Sequence, residues 1–200
     1  MTSATLHLQS ADPIMARIIE RVGVYQPTPR EPTFETLARS ITFQQLSGKA
    51  AGTIFGRLKK AVGRRFTASA FLKMTSEELR ACGLSRQKIA SLTDLAERVA
   101  RREINFRALV ELEDEKIVAL LSQVRGVGVW TAQMFLIFAL ERPNVLPLAD
   151  LGVRNAVRIA YGLPELPTAV ELARIAEKWH PYCSVASWYL WRSLEGAAEI

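Results

Sequence analysis

Cysteine and histidine are scarce in this chain of 200 residues, and their scarcity excludes several kinds of site. The two cysteines, Cys82 and Cys183, are too few for a disulfide framework, a four-cysteine zinc site or an iron–sulfur cluster. We expect both to be small buried residues in a reducing compartment. Because His7 and His180 are the only histidines, a histidine-rich metal site is excluded as well. The composition therefore predicts no metal site built from cysteine or histidine.

Long apolar segments are also missing. The longest run lies around Met134 to Leu140, far short of the roughly 20 residues that cross a bilayer. The first nine residues lack the basic and then apolar layout of a signal peptide. We expect a soluble cytoplasmic protein, associated with the nucleoid if the source is bacterial.

The charge balance is modest in size and basic in sign. Lys and Arg number 26 against 20 Asp and Glu, which gives a formal net charge of +6. Such an excess fits a partner with a phosphate backbone, although many basic proteins bind no nucleic acid. Charge alone leaves the function open.

Helical periodicity runs through nearly the whole sequence, and no segment alternates as a strand would. The chain also carries paired capping signals, Thr75 with Glu78 and Thr168 with Glu171, each typical of a helix start. These patterns predict an all-α fold. The proline-rich segment Tyr25 to Pro32 and the bend Glu141 to Pro147 look like hinges between two helical lobes. We therefore expect one lobe over 34–141 and a second over 1–33 plus 142–200.

The most informative stretch is Leu121-Ser-Gln-Val-Arg-Gly-Val-Gly-Val-Trp-Thr-Ala132. An amphipathic helix ends there, Gly126 and Gly128 permit a tight turn, and a second helix begins at once. Free N–H groups at the start of that helix suit a DNA phosphate. An ordinary corner between two helices is the other interpretation, because Gly-x-Gly alone is common.

This segment resembles the hairpin of the helix-hairpin-helix (HhH-GPD) DNA glycosylase superfamily, here about 114–140. Three further segments resemble signatures of the same family: Ser40-Ile-Thr-Phe-Gln-Gln-Leu-Ser47, Leu146-Pro-Leu-Ala-Asp-Leu-Gly-Val153, and Trp179-His-Pro-Tyr182 followed by Trp191. Their order spans about Asp12 to Leu194. The resemblance is greatest to DNA-3-methyladenine glycosylase II, the alkylpurine group.

The resemblance implies a two-lobed all-helical fold with an active-site cleft between the lobes. It also implies base flipping and hydrolysis of the N-glycosidic bond of alkylated bases such as 3-methyladenine and 7-methylguanine, in base excision repair. Bifunctional relatives place a lysine where this chain has Trp130, so no lyase step is expected. The partner would be double-stranded DNA containing damaged bases, bound by a monomer. By the same resemblance, a monovalent cation at the hairpin backbone is an open alternative to having no cofactor.

Asp150 lies about twenty residues beyond the hairpin, where the resemblance places the catalytic aspartate. An Asp before a helix is also an ordinary N-cap, but capping and catalysis are compatible. A rigid carboxylate stabilises the cationic sugar that forms as the base leaves. Some alkylation-repair relatives have a second acidic residue just before it; this chain has Ala149.

The resemblance assigns four residues to the substrate pocket and seven to DNA binding. An electron-rich aromatic face attracts a cationic alkylated base, although core packing is the alternative for each tryptophan. Gln45 is the predicted plug for the gap left by the flipped nucleotide, with Gln44 and Leu46 as alternatives. The pocket residues are Trp130, Trp191, Met134 and Phe43, and the DNA-binding residues are Gln45, Leu46, Gly126, Val127, Gly128, Val129 and Thr131.

Two other functions stay open at this point. One is a non-catalytic DNA-binding module that uses the hairpin for affinity alone. The other is an enzyme of the same fold that acts on mismatched, deaminated or oxidised bases.

Overall fold

The computed structural model describes residues 2–195, and within that range the regular structure is entirely helical. Short 3-10 turns cover Ala108–Glu111 and Glu177–Trp179. The all-α prediction is confirmed. The α-helices are α1 Ser3–Ala11, α2 Pro13–Val22, α3 Phe34–Phe43, α4 Gly48–Val62, α5 Ala68–Phe71, α6 Ser76–Ala81, α7 Arg86–Ala100, α8 Asp114–Leu121, α9 Val129–Phe138, α10 Leu151–Ala160, α11 Ala169–Ala176 and α12 Cys183–Glu195.

Side-chain caps explain where many of these helices begin. The two predicted capping boxes are present, at Thr75 with Glu78 and at Thr168 with Glu171. Asp12 caps α2, and Pro13 stands in its first turn, where a missing N–H costs nothing. Residues close in sequence therefore determine where several helices begin, without a contribution from tertiary packing.

The helices group into two compact units. One combines the chain up to Pro29 with the chain from Leu136 onward, and the other spans Arg30–Phe135. The chain passes between them within α9, before the bend Glu141 to Pro147. That bend is bound within its own unit, because the Ser184 hydroxyl of α12 donates to the Arg142 carbonyl at 2.6 Å and accepts from the Val145 N–H at 2.9 Å.

The unit Arg30–Phe135 is built around α7, which packs against α3, α5 and α6. Leu92 and Leu95 of α7 and Leu37 and Ile41 of α3 are fully buried. Burying a leucine or isoleucine side chain contributes about 1.5–3 kcal/mol relative to exposure. The hydrophobic effect therefore fixes the positions of α3 and α7. Both helices contribute residues to a surface depression of this unit that is described below.

The other unit packs α1, α2, α10 and α12 around a core that contains the fully buried Leu8, Met15, Trp179 and Tyr189. Cys183 also lies in this core. Burial raises the pKa of the Cys183 thiol to about 12 and also raises the pKa of Cys82. Both thiols are buried and unbridged, as predicted.

Asp12 has a second role that its sequence position did not indicate. Its carboxylate is fully buried and accepts hydrogen bonds from the Ile14 N–H at 2.9 Å, the Trp179 indole N–H at 3.0 Å and the Tyr161 hydroxyl, and it pairs with Lys178 Nζ at 3.2 Å. Burial alone would raise the pKa of Asp12, but these donors outweigh burial and lower it. The carboxylate joins the start of α2 to the end of α10 and the turn before α12.

We expect Asp12→Asn to lower the free energy of unfolding by about 2 kcal/mol, since an amide cannot accept from all of these donors. The lowered pKa means that the unfolded chain binds this proton more readily. The contribution is therefore present above about pH 4 and lost as the pH falls through the folded-state pKa. Urea unfolding between pH 2 and 7 measures both effects. Glu20→Gln, an exposed change on the same helix, should leave the pH profile unaltered; an equal effect there would contradict the assignment.

No helix within residues 2–195 is long and apolar enough to span a bilayer. No cluster of three or more potential His, Cys, Asp or Glu metal ligands occurs among the same residues.

Candidate active site

Asp150 stands at the start of α10, as predicted. Its backbone carbonyl accepts from the Arg154 N–H, and its Oδ1 accepts from the Val153 N–H at 2.7 Å, so the residue is the N-cap of the helix. Only 7% of its surface is exposed. A carboxylate held in this way also lies at the start of the helix, beside the free N–H groups of its first turn.

The indole of Trp191 makes a second hydrogen bond to the same oxygen. Trp191 Nε1 donates to Asp150 Oδ1 at 2.8 Å across 41 positions of the chain. Phe138 stacks on the indole, with ring centroids 5.7 Å apart and planes inclined by 29°. The residue predicted to line the base pocket thus orients the candidate catalytic carboxylate.

Gly152 makes room for this contact. A Cβ at position 152 would lie 2.9 Å from Trp191 Cδ1, 3.1 Å from Trp191 Nε1 and 3.1 Å from Asp150 Oδ1. The first distance is shorter than real Cβ contacts and the other two are tighter than most, so a side chain there would force the indole or the carboxylate to move. Sequence reasoning missed Gly152, because the constraint comes from a tryptophan on another helix.

The unit Arg30–Phe135 has an open depression of about 900 Å³ that collects seven of the predicted site residues. Trp130 is 43% exposed there, which is the exposure of a surface side chain and not of a core one. Six further lining residues were not singled out from the sequence: Arg39, Ser40, Ser85, Gln87, Lys88 and Ser91. The predicted residues that line it are Phe43, Gln45, Leu46, Gly126, Trp130, Thr131 and Met134.

Arg39 covers one aromatic face in this depression. Its guanidinium carbon lies 3.7 Å from the centroid of the Phe43 ring, which is a cation–π contact. Burial and, to a smaller extent, Arg30 lower the pKa of Arg39. An aromatic ligand would meet the Arg39 guanidinium on this face of Phe43, whereas Trp130 presents an exposed indole.

The loop after α3 carries the three alternatives for the plug. Gln44 turns inward, and its side-chain amide donates to the Gly126 carbonyl at 3.0 Å and to Thr131 Oγ1 at 3.2 Å. Gln45 and Leu46 are exposed, and Gln45 adopts a left-handed backbone with φ of 57°. Such a conformation costs a non-glycine residue about 1–3 kcal/mol and persists only where neighbouring contacts hold it.

The hairpin has the predicted shape. After α8 ends at Leu121, the Val127 N–H donates to the Val124 carbonyl, and both valines are buried. Gly126 has φ of +75°, and a Cβ there would lie 2.7 Å from Ser91 Oγ of α7. Conformation and space therefore both require glycine at 126.

The start of α9 differs from the capped helix starts. The Gly128 carbonyl accepts from the Ala132 N–H, so Gly128 is the N-cap and has no side chain to cap the first turn. Nothing lies within 4 Å of the position that a Cβ would take. Val129 is 54% exposed, whereas Val127 and Thr131 are buried. Any DNA contact by Val127 or Thr131 would therefore involve backbone atoms.

The two hairpin glycines should respond differently to substitution. We expect Gly126→Ala to lower the free energy of unfolding by about 2 kcal/mol, because the methyl group meets Ser91 and the backbone is left-handed. Gly128→Ala should change it by no more than about 0.5 kcal/mol, since the space there is open. Urea denaturation measures both. Adding Ser91→Ala to Gly126→Ala should recover part of the loss, and the absence of any recovery would contradict the steric account.

One feature of the hairpin bears on the monovalent cation that the resemblance leaves as an open alternative. Such a cation takes main-chain carbonyl oxygens as ligands. Ser122 Oγ, at the first position after α8, is buried and has no hydrogen-bond partner among the described residues. One buried, unsatisfied hydroxyl beside the turn is an oxygen donor that fits an alkali-metal cation.

Comparison with known proteins gives one consistent result. The chain is 37% identical over 200 residues to DNA-3-methyladenine glycosylase 1 of Schizosaccharomyces pombe, covering 96% of this chain and 87% of the relative. The structure of the Schizosaccharomyces pombe 3-methyladenine DNA glycosylase in complex with abasic DNA matches with a TM-score of 0.86, covering 96% of each chain. A DNA-3-methyladenine glycosidase from Bacillus halodurans is 32% identical and matches with a TM-score of 0.88, covering 99% of this chain and 92% of that one.

The family model agrees with these individual matches. The pattern of the HhH-GPD superfamily of base excision DNA repair proteins covers residues 38–181, which include the loop after α3, the hairpin and Asp150. The resemblance inferred from the sequence motifs is confirmed: this chain belongs to the HhH-GPD superfamily.

Proposed function

We propose that this protein is a monofunctional DNA glycosylase that flips alkylated bases out of double-stranded DNA and hydrolyses the bond between base and sugar. The observation that carries the proposal is the Asp150 carboxylate, held by the Val153 N–H and the Trp191 indole. The relatives named as 3-methyladenine glycosylases, 37% and 32% identical, support the same activity.

The chemistry follows from the charge that develops on the sugar. As the base leaves, the deoxyribose becomes an oxocarbenium-like cation, and a fixed anion stabilises this transition state more than the ground state. Asp150 is that anion, and it also accepts a proton from the attacking water or orients it. Because two donors already hold Oδ1, the carboxylate needs little reorganisation as charge appears.

Trp130 supplies recognition of the base. An alkylated purine such as 3-methyladenine or 7-methylguanine is cationic in DNA, and an indole face attracts it by roughly 0.5–2 kcal/mol. Stacking adds about 1–3 kcal/mol, which offsets the few kcal/mol needed to extrude a nucleotide. A charged base is also a better leaving group, so modest recognition suffices. Met134 lines the same depression and completes its apolar side.

The hairpin and the loop after α3 hold the DNA. The first N–H groups of α9 bind a phosphate of the backbone, and the carbonyl oxygens of 122–127 together with Ser122 Oγ would hold a monovalent cation. The cation supplies positive charge beside that phosphate when it is bound. The protein acts as a monomer in the cytoplasm, and in association with the nucleoid if the source is bacterial.

The decisive experiment compares the release of 3-methyladenine, 7-methylguanine, hypoxanthine and 8-oxoguanine from DNA duplexes of one sequence. We expect release of the methylated purines to be fastest. Faster release of 8-oxoguanine or hypoxanthine would favour the other glycosylases of this fold, and no release of any base would favour a non-catalytic binding module. Borohydride should trap no covalent adduct with abasic DNA; an adduct would contradict a purely hydrolytic enzyme, and Lys88 in the depression would be its first candidate amine.

A further inference from the structure

Two polar side chains, those of Lys88 and Gln44, hold the loop after α3. Lys88 of α7 donates from Nζ to the Thr42 carbonyl and, at 2.8 Å, to the Gln44 carbonyl. Carbonyl groups at the end of a helix lack intrahelical partners, and an ammonium group there satisfies them and opposes the negative end of the dipole. Lys88 thus holds the last turn of α3 and the first loop residue together.

The side chain of Gln44 makes the second connection. It reaches the Gly126 carbonyl and Thr131 Oγ1, which lie on the two sides of the hairpin turn. Because a carbonyl oxygen only accepts, the nitrogen of the Gln44 amide must face Gly126. Gln44 therefore connects the loop after α3 to the proposed phosphate-binding turn.

The two residues that follow Gln44 are more exposed to solvent than Gln44 itself. Gln45 and Leu46 are exposed, and the left-handed backbone at Gln45 turns the chain out of the direction of α3. The conformation at Gln45 is one that neighbouring contacts must hold in place. The bonds on either side of Gln44 are such contacts.

We propose that Gln44 and Lys88 form a brace that fixes the loop to the hairpin, so that Gln45 and Leu46 are presented to the DNA duplex and Gln44 is a positioning residue instead of the plug. This inference rests on the proposed function for its DNA part. The brace itself is a property of the free protein and can be measured without DNA.

The first measurement is hydrogen–deuterium exchange of residues 43–47 in the full-length free protein. Gln44→Glu keeps the size of the side chain but cannot donate to Gly126, and Lys88→Met keeps the length but loses the ammonium. Each should speed exchange in this segment by about tenfold, the equivalent of one or two lost hydrogen bonds. Gln9→Glu on α1 and Lys73→Met are the matched controls and should leave it unchanged. Unchanged exchange in both brace variants would overturn the proposal.

The second measurement is the preference for a duplex with a tetrahydrofuran abasic analogue over an intact duplex. Gln45→Ala or Leu46→Ala should lower this preference about tenfold, because the group that fills the gap is lost. Hydrogen–deuterium exchange of residues 43–47 should stay the same in these variants. Gln44→Glu should lower the preference and speed exchange together. The inference would be overturned if Gln44→Ala lost the preference for the abasic duplex without faster exchange of residues 43–47, while Gln45→Ala and Leu46→Ala kept the preference. Gln44 would then be the plug. Should the wild type release no base and show no preference, the proposed function fails, while the exchange data still decide whether the brace exists.

Discussion

Asp150→Asn is expected to slow the release of 3-methyladenine by about 10³-fold, because the substitution removes the negative charge that faces the developing cation. Asparagine is nearly the size of aspartate and is an equally good N-cap. Its side-chain oxygen can still accept from the Val153 N–H and the Trp191 indole, which both donate to Asp150 Oδ1. The variant therefore tests charge with little change in structure, and single-turnover release from methylated duplex DNA measures it.

Asp150→Ala is the matched comparison. It should be as inactive as Asp150→Asn but less stable by about 1 kcal/mol, because alanine cannot cap α10. DNA binding by Asp150→Asn should equal or exceed that of the wild type, since a negative group is gone. Base release within a factor of ten of the wild type would refute the catalytic role, as would a loss of activity that follows the loss of folding alone.

Gly152→Ala is expected to slow base release by about 10²-fold, the second large effect among these variants. A displacement of a catalytic group by about 1 Å can have a cost of this size. The added methyl group would overlap the Trp191 indole and crowd Asp150 Oδ1. The indole must withdraw, and the bond that orients the carboxylate is lost. Affinity for an abasic duplex should change little, so the loss should appear in the rate at saturating DNA.

Two further variants separate this mechanism from a general helix effect. Gly56→Ala in α4 adds a methyl group where nothing lies within 4 Å, and it should stabilise the protein by about 0.5–1 kcal/mol and leave the rate unchanged. In a Trp191→Phe background, Gly152→Ala should cost less than it does in the wild type, because the hydrogen bond from the indole to Asp150 is already gone. If the rate losses of Trp191→Phe and Gly152→Ala simply multiplied in the double variant, Gly152 would not act through Trp191.

Features that depend on a few neighbouring residues were predictable from the sequence. The capping box of Thr75 and Glu78 and the cap at Asp150 each involve groups within four positions of one another. The hairpin was predictable for the same reason, since glycines that turn a chain between two helices act locally. The family resemblance then supplied the roles that local patterns could not.

Features that depend on distant contacts were not predictable. Gln44 meets Gly126 across 82 positions, Lys88 meets Gln44 across 44, and Trp179 meets Asp12 across 167. A sequence shows that such residues are polar or aromatic but not which partner the fold supplies. Trp191 illustrates the difference, because the resemblance implied a pocket residue and the fold brings its indole N–H to Asp150.

The burial of both thiols has a consequence for survival in the conditions that this enzyme would face. Methylating agents attack thiolates, and a thiol with a pKa of about 12, such as that of Cys183, is almost entirely protonated at neutral pH. Cys82 is also buried with a raised pKa. A protein that repairs methylated DNA is thereby a poor target for the electrophiles that create its substrate.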